Sequence, residues 1–199
     1  MANVIREPKQ QRSIEKKRKI IEAGYELFAE KGYFNTNTAE IAKRAGVSTG
    51  IVYGYFHDKR DIMLDVLDIY IESVFGPIIA LFDNVENDLD LKTLASVILD
   101  KVVETHKKNA AIHEALHSLT STDKIVDTKF RSLEGEMTNK ITDTLIKHGY
   151  SNDYLLERVH TSINIFQAYA HEAVFDNHTY IDYVKMREIV INIIEGLFK

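Results

Sequence analysis

The segment from His113 to His117 reads HEALH and has the residue types and spacing of a zinc site. In H-E-x-x-H on a helix, two histidines one turn apart can bind zinc while the glutamate acts as a general base. A catalytic zinc also needs a third ligand and an open position for water. No H-x-x-G-x-x-H extension follows, and the candidates by spacing, Glu134 and Glu136, fall on a predicted bundle helix. We therefore expect no catalytic residue, no bound metal and no cofactor. A regulatory metal or ligand contact through His113 or His117 stays open, and a zinc hydrolase is the weakest alternative.

A second segment has the spacing of a helix-turn-helix. Thr38 is predicted to cap a short helix that runs to Ala45, without a capping box because isoleucine stands three residues after the cap. Gly46 is predicted to take the left-handed position that ends this helix, and Ser48 or Thr49 to cap the next one. Two short helices joined by such a turn form the motif whose second helix enters the major groove of DNA.

Residues 38–59, TAEIAKRAGVSTGIVYGYFHDK, closely resemble the DNA-binding signature of the TetR family of bacterial transcriptional regulators. Upstream, residues 20–33, IIEAGYELFAEKGY, look like the first helix of that family. The specific resemblance covers about residues 13–62. It implies a homodimer whose recognition helices enter successive major grooves, with half-site centres about 34–36 Å apart on a palindromic double-stranded operator. It also implies a repressor that a small-molecule effector of unknown identity releases from DNA.

The resemblance further implies which residues of this segment contact DNA. By position they are Thr38, Ser48, Thr49, Gly50, Tyr53, Gly54, Tyr55 and Lys59. Gly50 lets the backbone approach DNA, and Lys59 starts a helix, where its charge and the exposed N–H groups favour an anion. Gly54 stands where the family often has a larger residue, so we expect base readout to depend on Thr49, Tyr53, the N-terminal arm and DNA shape. A helical adaptor that binds proteins through the same module is the alternative.

The charge distribution favours the DNA-binding interpretation. Residues 1–60 carry twelve Lys and Arg against seven Asp and Glu, a net charge of +5, whereas residues 61–199 carry thirteen against twenty-three, a net charge of −10. A basic module attracts phosphates, and an acidic remainder limits nonspecific binding. A solvated basic tail is the alternative explanation, because Arg6, Lys9, Arg12 and residues 16–19 supply seven of the twelve positive charges.

Helical periodicity is nearly continuous and there are only two prolines, so the chain is predicted to be all-α. We expect an N-terminal helix-turn-helix domain over residues 1–58 and a helical effector-binding and dimerisation domain over residues 59–199. Helices are predicted from Ser13 to Gly32 and over residues 59–82 (kinked near Pro77), 91–108, 110–119, 123–148, 151–175 and 182–198. The absence of cysteine and of a long apolar run favours a cytoplasmic protein with no membrane partner.

The last two predicted helices carry more apolar positions than one neighbouring helix can cover. A second copy of the chain is the natural cover, so we expect a homodimer formed through these helices. Aromatic and histidine side chains of the acidic C-terminal part are candidates for an effector pocket, although such residues more often belong to an ordinary core. They are Phe75, Phe82, His106, His113, His117, Phe130, Phe166, Tyr169 and His171.

Overall fold

The computed structural model describes residues 10–83, 90–151 and 153–199, and within them every regular element is a helix. The predicted all-α class is therefore confirmed. The first nine residues of the predicted basic arm lie outside the described residues. The helices are α1 (Gln11–Lys31), α2 (Thr38–Arg44), α3 (Thr49–Tyr55), α4 (Lys59–Asp83), α5 (Leu91–Lys108), α6 (Ala110–Thr122), α7 (Lys124–Lys147), α8 (Leu155–His171) with a π-helical extension (Glu172–Asp176), and α9 (Tyr183–Leu197).

Three predicted helix starts are wrong. Helix α1 begins before Ser13, with Gln10 as an N-cap that makes no side-chain bond. Helix α2 is capped by Asn37, whose Oδ1 accepts from the Glu40 backbone N–H at 3.0 Å. The Glu40 carboxylate accepts from the Asn37 backbone N–H at 3.1 Å, so a capping box is present after all. Helix α8 begins four residues after Ser151, because the left-handed conformation of its N-cap precludes an earlier start.

The predicted helix ends are confirmed where glycine determines them. Gly32 and Gly46 have φ angles of 79° and 67°, which side-chain-bearing residues rarely adopt. The chain turns sharply after α2, because the Gly46 N–H bonds to the Lys43 carbonyl and the N–H of the next residue bonds to the Ala42 carbonyl. The local sequence therefore determines the turn between α2 and α3, because Gly46 readily adopts the positive φ angle that this turn requires.

The chain forms two compact units, and the first contains the helix-turn-helix. It comprises the described residues up to Tyr70, together with the segment Asn109–Arg131. A hydrogen bond of 2.6 Å from the Tyr25 hydroxyl to Asn109 Oδ1 joins α1 to the start of that segment. The Arg60 guanidinium lies 3.5 Å from Asp123 and adds a second link. The predicted division after residue 58 stays a prediction about functional domains.

The second compact unit comprises Ile71–Lys108 and Ser132–Lys199. Helices α5, α8 and α9 pack against one another in it. Arg187 of α9 crosses to α5, where it donates to both carboxylate oxygens of Asp100 at 2.9 and 2.8 Å and to Ser96 Oγ at 2.7 Å. This fork fixes the register of α9 on α5.

The HEALH histidines occupy one face of α6 in the first unit. His113 is buried, and its Nδ1 lies 2.7 Å from the hydroxyl of Tyr70, whose pKa is raised by burial. The His117 ring lies 4.4 Å from that of His113, while Glu114 is exposed. Among the described residues, no group of three or more His, Asp or Glu is placed to hold a metal ion. His113, the buried histidine of the motif, thus forms a hydrogen bond with the Tyr70 hydroxyl.

No described helix is both long enough and apolar enough to cross a membrane.

Candidate DNA-binding surface

Helix α1 supplies the platform on which the recognition elements are placed. Its buried residues recur at helical spacing, and Phe28 is completely buried, with its ring 5.3 Å from that of Tyr33. Gly24 lies where α1 approaches α4 closely. A Cβ atom placed on Gly24 would lie 2.7 Å from Cγ2 of Ile62, so only glycine permits this approach.

Helices α2 and α3 bury one face and expose the other. Ile41, Ala42 and Val52 are buried and hold the two helices together. Ser48 caps α3 by accepting from the Ile51 N–H, which settles the two predicted caps in favour of Ser48. The opposite face of α3 exposes polar and small residues, namely Ser48, Thr49, Gly50 and Tyr53.

Two of the predicted DNA contacts lie directly against each other. The hydroxyl groups of Thr38, at the start of α2, and Tyr53, on α3, are 2.9 Å apart. Tyr53 is nevertheless 44% exposed, so its hydroxyl stands at the surface. Tyr55 is half-buried. A Cβ atom on Gly54 would meet nothing within 4 Å, so the space beside Gly54 is open.

Lys59, predicted to contact phosphate, bonds to the protein's own backbone in this structure. Its Nζ donates to the carbonyls of Tyr33 at 2.7 Å, Thr36 at 2.8 Å and Phe34 at 3.5 Å. The ammonium also lies 4.3 Å from the centroid of the Tyr33 ring. Burial lowers the pKa of Lys59.

Several other basic side chains of this unit are paired with carboxylates. Arg44 of α2 donates to Glu30 at 2.7 and 2.8 Å and to Glu26 at 3.0 Å on α1, and this guanidinium lowers the pKa of the Glu30 carboxyl. Lys31 pairs with Glu40 at 2.6 Å, and Lys17 with Asp65 at 2.7 Å. These pairs orient the helices relative to one another.

A basic stripe remains available on the first turns of α1. Arg12, Lys16 and Lys19 follow one another at spacings of four and three residues, so they share one face of the helix. All three are exposed, and within the described residues none has an ion-pair partner. Lys43 on α2 is likewise exposed, and among the described residues it has no carboxylate partner. Of these four residues, Arg12, Lys16 and Lys19 belong to the basic tail that was recognised from the sequence, whereas Lys43 was not expected to take part.

Comparison with known proteins shows which family has this arrangement of helices and exposed residues. Residues 20–66 match the family described as bacterial regulatory proteins, tetR family. The helix-turn-helix transcriptional regulator HbdR of Aromatoleum sp. is 44% identical over 64 residues, which are 30% of this chain and 28% of that protein. The fatty acid metabolism regulator protein of Bacillus subtilis is 31% identical over 133 residues, 67% of this chain and 61% of that protein. The chain belongs to the TetR family.

Solved structures of bacterial transcriptional regulators, including ones described as TetR-family, share the fold along nearly the whole chain. The Bacillus subtilis regulator FadR, solved in complex with stearoyl-CoA, superposes with a TM-score of 0.67 at 17% identity, over 92% of this chain and 99% of that one. At such identity the likeness concerns the fold. The chain spans less than two thirds of the length of the curated relatives that it matches first. Two of these relatives are named transcriptional regulators, and the third is named a fatty acid metabolism regulator protein. None of the three names describes an enzyme.

The second unit of this TetR-family protein contains an apolar cavity of about 70 Å³. Ser162 and Gln167 are the polar residues of its described lining, which includes no charged side chain. The Ser162 hydroxyl already donates to the Arg158 carbonyl at 2.8 Å. The lining residues are Phe75, Ile78, Leu91, Leu94, Ala95, Ile98, Val102, Ile141, Leu145, Val159, Ser162, Ile163, Phe166, Gln167, Ile194 and Phe198.

The structure brings two of the predicted effector residues, Phe75 and Phe166, to this cavity. In the same unit, His106 is buried with Nδ1 2.8 Å from the Val102 carbonyl, and the Tyr169 hydroxyl donates to the Tyr183 carbonyl.

The remaining predicted effector residues lie elsewhere. His171 lies 3.4 Å from Asp176 in the second unit, whereas His113, His117 and Phe130 belong to the first. The side chain of Phe82 lies outside the described part of the chain. Sequence reasoning emphasised aromatic residues and missed the aliphatic lining from α5, although the apolar periodicity of that helix carried the signal.

Proposed function

We propose that this protein is a homodimeric DNA-binding transcriptional repressor that an apolar effector releases from its operator. The observation that carries the proposal is the two-faced recognition helix α3. Val52 anchors one face in the core, while Ser48, Thr49, Gly50 and Tyr53 are presented outward. An exposed helix face of small and hydroxyl-bearing residues can enter the major groove and reach bases and phosphates.

The basic stripe of α1, defined by Arg12, Lys16 and Lys19, supports DNA as the partner. These three exposed charges have no described carboxylate to neutralise them. Each lysine or arginine that contacts a phosphate releases a condensed counterion, which makes affinity fall steeply with salt. A protein-binding adaptor would not require this unpaired positive charge in the unit that carries the recognition helix.

A second copy of the chain is the proposed partner of α8 and α9. Four apolar side chains on these helices are exposed, with relative exposures of 71% for Val184, 58% for Ile189, 46% for Ile193 and 42% for Leu156. Ile189 and Ile193 lie one turn apart and share a face of α9, and an exposed apolar face of this kind is typical of a protein interface. A two-fold axis through such a face would present two recognition helices to a palindromic operator.

The effector proposed for the cavity is an uncharged apolar chain. A charged group buried there would lack a counter-ion, because the described lining holds neither a cationic nor an anionic side chain. Stearoyl-CoA, the ligand of the Bacillus subtilis FadR structure, combines an acyl chain with a polar portion that could stay outside. We propose an acyl-chain compound with its charged end outside the cavity.

The small cavity volume suggests how this effector would act. A cavity of about 70 Å³ accommodates only part of a long acyl chain, so the lining must yield as the chain enters. The effector then binds an expanded conformation better than the compact one, and this differential affinity limits how far it shifts the equilibrium. Helix α4 contributes residues to both compact units and is the proposed lever.

The DNA-binding proposal is tested by affinity for promoter fragments at several salt concentrations. The wild-type protein is expected to bind selected fragments with an affinity that falls steeply with salt. Tyr53→Ala is expected to weaken binding about tenfold, the equivalent of one lost phosphate or base contact. Tyr154→Ala is the matched control, because Tyr154 is 76% exposed and lies in the second unit. A folded, dimeric protein that ignores every fragment, with no effector carried over, would favour the adaptor interpretation.

The effector proposal is tested by filling the cavity. Ala95 is buried in the lining, and Ala95→Leu adds three carbon atoms to the cavity space. Stearoyl-CoA is expected to lower the operator affinity of the wild-type protein, whereas the variant is expected to bind operator normally and to lose this response. Coenzyme A without the acyl chain is the matched ligand control. An undiminished response of Ala95→Leu, measured by fluorescence anisotropy, would contradict the assigned site.

A further inference from the structure

Lys59 directs its ammonium group at one turn of the backbone. The turn joins α1 to α2, and the carbonyls of Tyr33, Phe34 and Thr36 converge on Nζ at 2.7, 3.5 and 2.8 Å. A lysine ammonium has three N–H donors and no acceptor. All three donors are therefore directed at carbonyl oxygens, and the ring of Tyr33 covers the same cation at 4.3 Å.

The turn that receives Lys59 also sets the start of α2. Thr36 Oγ1 donates to the Gly32 carbonyl at 2.9 Å and to the Leu27 carbonyl at 3.3 Å, which folds the turn back onto the end of α1. The next residue, Asn37, is the cap of α2. A movement of the Thr36 carbonyl would therefore be transmitted to the first turn of α2.

The first turn of α2 is in turn connected to the recognition helix. Thr38 follows the cap, and its hydroxyl lies 2.9 Å from the hydroxyl of Tyr53 on α3. A continuous series of bonds thus runs from Lys59 at the start of α4, through the turn, to the exposed tyrosine. The series lies entirely within the first compact unit.

We propose that Lys59 acts as a positioning residue that fixes the α1–α2 turn, and through it Thr38 and Tyr53. This inference rests on the proposed DNA-binding function. It goes beyond the expectation drawn from family resemblance, in which the charge of Lys59 meets the DNA backbone. The two roles make different demands: a phosphate contact needs positive charge at this position, whereas the turn needs three donors on one compact group, arranged as a tripod.

Two substitutions separate these roles. Lys59→Met keeps the chain length and removes charge and donors, while Lys59→Arg keeps the charge but spreads its donors over a planar fork that cannot reproduce the tripod. For a positioning residue, both variants are expected to lower the melting temperature and to weaken operator binding. A residue that is only a phosphate ligand would instead leave the melting temperature of both variants and the affinity of Lys59→Arg close to wild type, and would make the slope of log affinity against log salt shallower by about 0.9 in Lys59→Met alone.

Lys140→Met is the matched control for loss of one charge. Lys140 is exposed on α7 in the second unit, and we expect its substitution to change neither melting temperature nor salt slope. If Lys59→Met is too unstable to bind DNA, Lys59→Arg decides by its affinity. Wild-type affinity together with wild-type melting temperature in Lys59→Arg overturns the proposal.

A measurement without DNA separates this inference from the proposed function. Amide hydrogen exchange at Asn37 and Glu40, whose N–H groups are bonded in the capping box, is expected to accelerate in both Lys59 variants and to stay at the wild-type rate in Lys140→Met. If the wild-type protein binds no DNA, the proposed function fails while faster exchange still supports the positioning role. Unchanged exchange and melting temperature in Lys59→Met would overturn the positioning role even if DNA binding is established.

Discussion

Replacing Phe28 by alanine is expected to lower the free energy of unfolding of the first unit by about 3–5 kcal/mol. The phenyl ring is completely buried, and its neighbours include Tyr33, with ring centroids 5.3 Å apart. Removing the ring costs its transfer free energy, and the close-packed helices around it cannot collapse fully into the space left behind. The loss is large compared with the total stability of a typical domain.

The measurement is urea unfolding at fixed protein concentration, because the stability of a protein that dimerises, as proposed for this one, depends on concentration. Phe28→Leu is the matched control and is expected to lose much less, since most of the apolar volume is kept. Tyr154→Ala removes an aromatic ring from a side chain that is 76% exposed, and we expect it to have little effect. A Phe28→Ala protein as stable as wild type would show that this ring does not pack as the structure places it.

Introducing a side chain at Gly24 is expected to be the second largest perturbation. Gly24→Val is expected to lower the free energy of unfolding by about 3 kcal/mol, because added volume at a packed helix crossing forces backbone or rotamer shifts. A Cβ atom would lie 2.7 Å from Cγ2 of Ile62, which is completely buried and, being β-branched, has little rotamer freedom to move away. Gly24→Ala is expected to lose less, since alanine gains about 0.5–1 kcal/mol of helix propensity that offsets part of the clash.

The matched control for Gly24 is Gly135, which also lies inside a long helix. A Cβ atom on Gly135 meets nothing within 4 Å, so Gly135→Ala is expected to stabilise the protein by about 0.5–1 kcal/mol. Gly24→Ala is thus expected to destabilise the protein and Gly135→Ala to stabilise it. A loss at Gly24 alone would come from the close approach of α1 and α4, because the gain in helix propensity is the same at both positions. Equal stabilisation by both in urea unfolding would mean that α1 and α4 do not meet at Gly24.

Local chemistry determined the helix-turn-helix from the sequence. Gly46 must adopt a positive φ, Ser48 must cap the helix that follows, and Ile41 and Val52 must be buried for the two short helices to cross. Each of these requirements involves residues that are close together in the chain. The TetR resemblance rested on the same stretch, and its family assignment is confirmed by the match over residues 20–66. The roles of the individual DNA-contact residues stay predictions.

Short-range ambiguity explains the errors at helix starts. Asn37 and Thr38 are both good N-caps, and one position of difference decides whether Glu40 stands at the third helical position and closes a capping box. Propensity does not separate two adjacent candidates. In the structure, Lys59 donates to the Thr36 carbonyl and the Thr36 hydroxyl donates to the Gly32 carbonyl, and propensity takes no account of such contacts, which span up to twenty-three residues.

Only the tertiary structure decided which distant residues share a site. It placed Asn109–Arg131 in the unit that contains the helix-turn-helix, so that Tyr25 bonds to a residue 84 positions away. It also divided the candidate effector residues between two units and surrounded the cavity with aliphatic side chains. Periodicity specifies which face of a helix is apolar, but it does not specify which other helix covers that face. The sequence therefore determined the fold class and the DNA-binding motif, whereas long-range packing determined the cavity and the partners of Lys59.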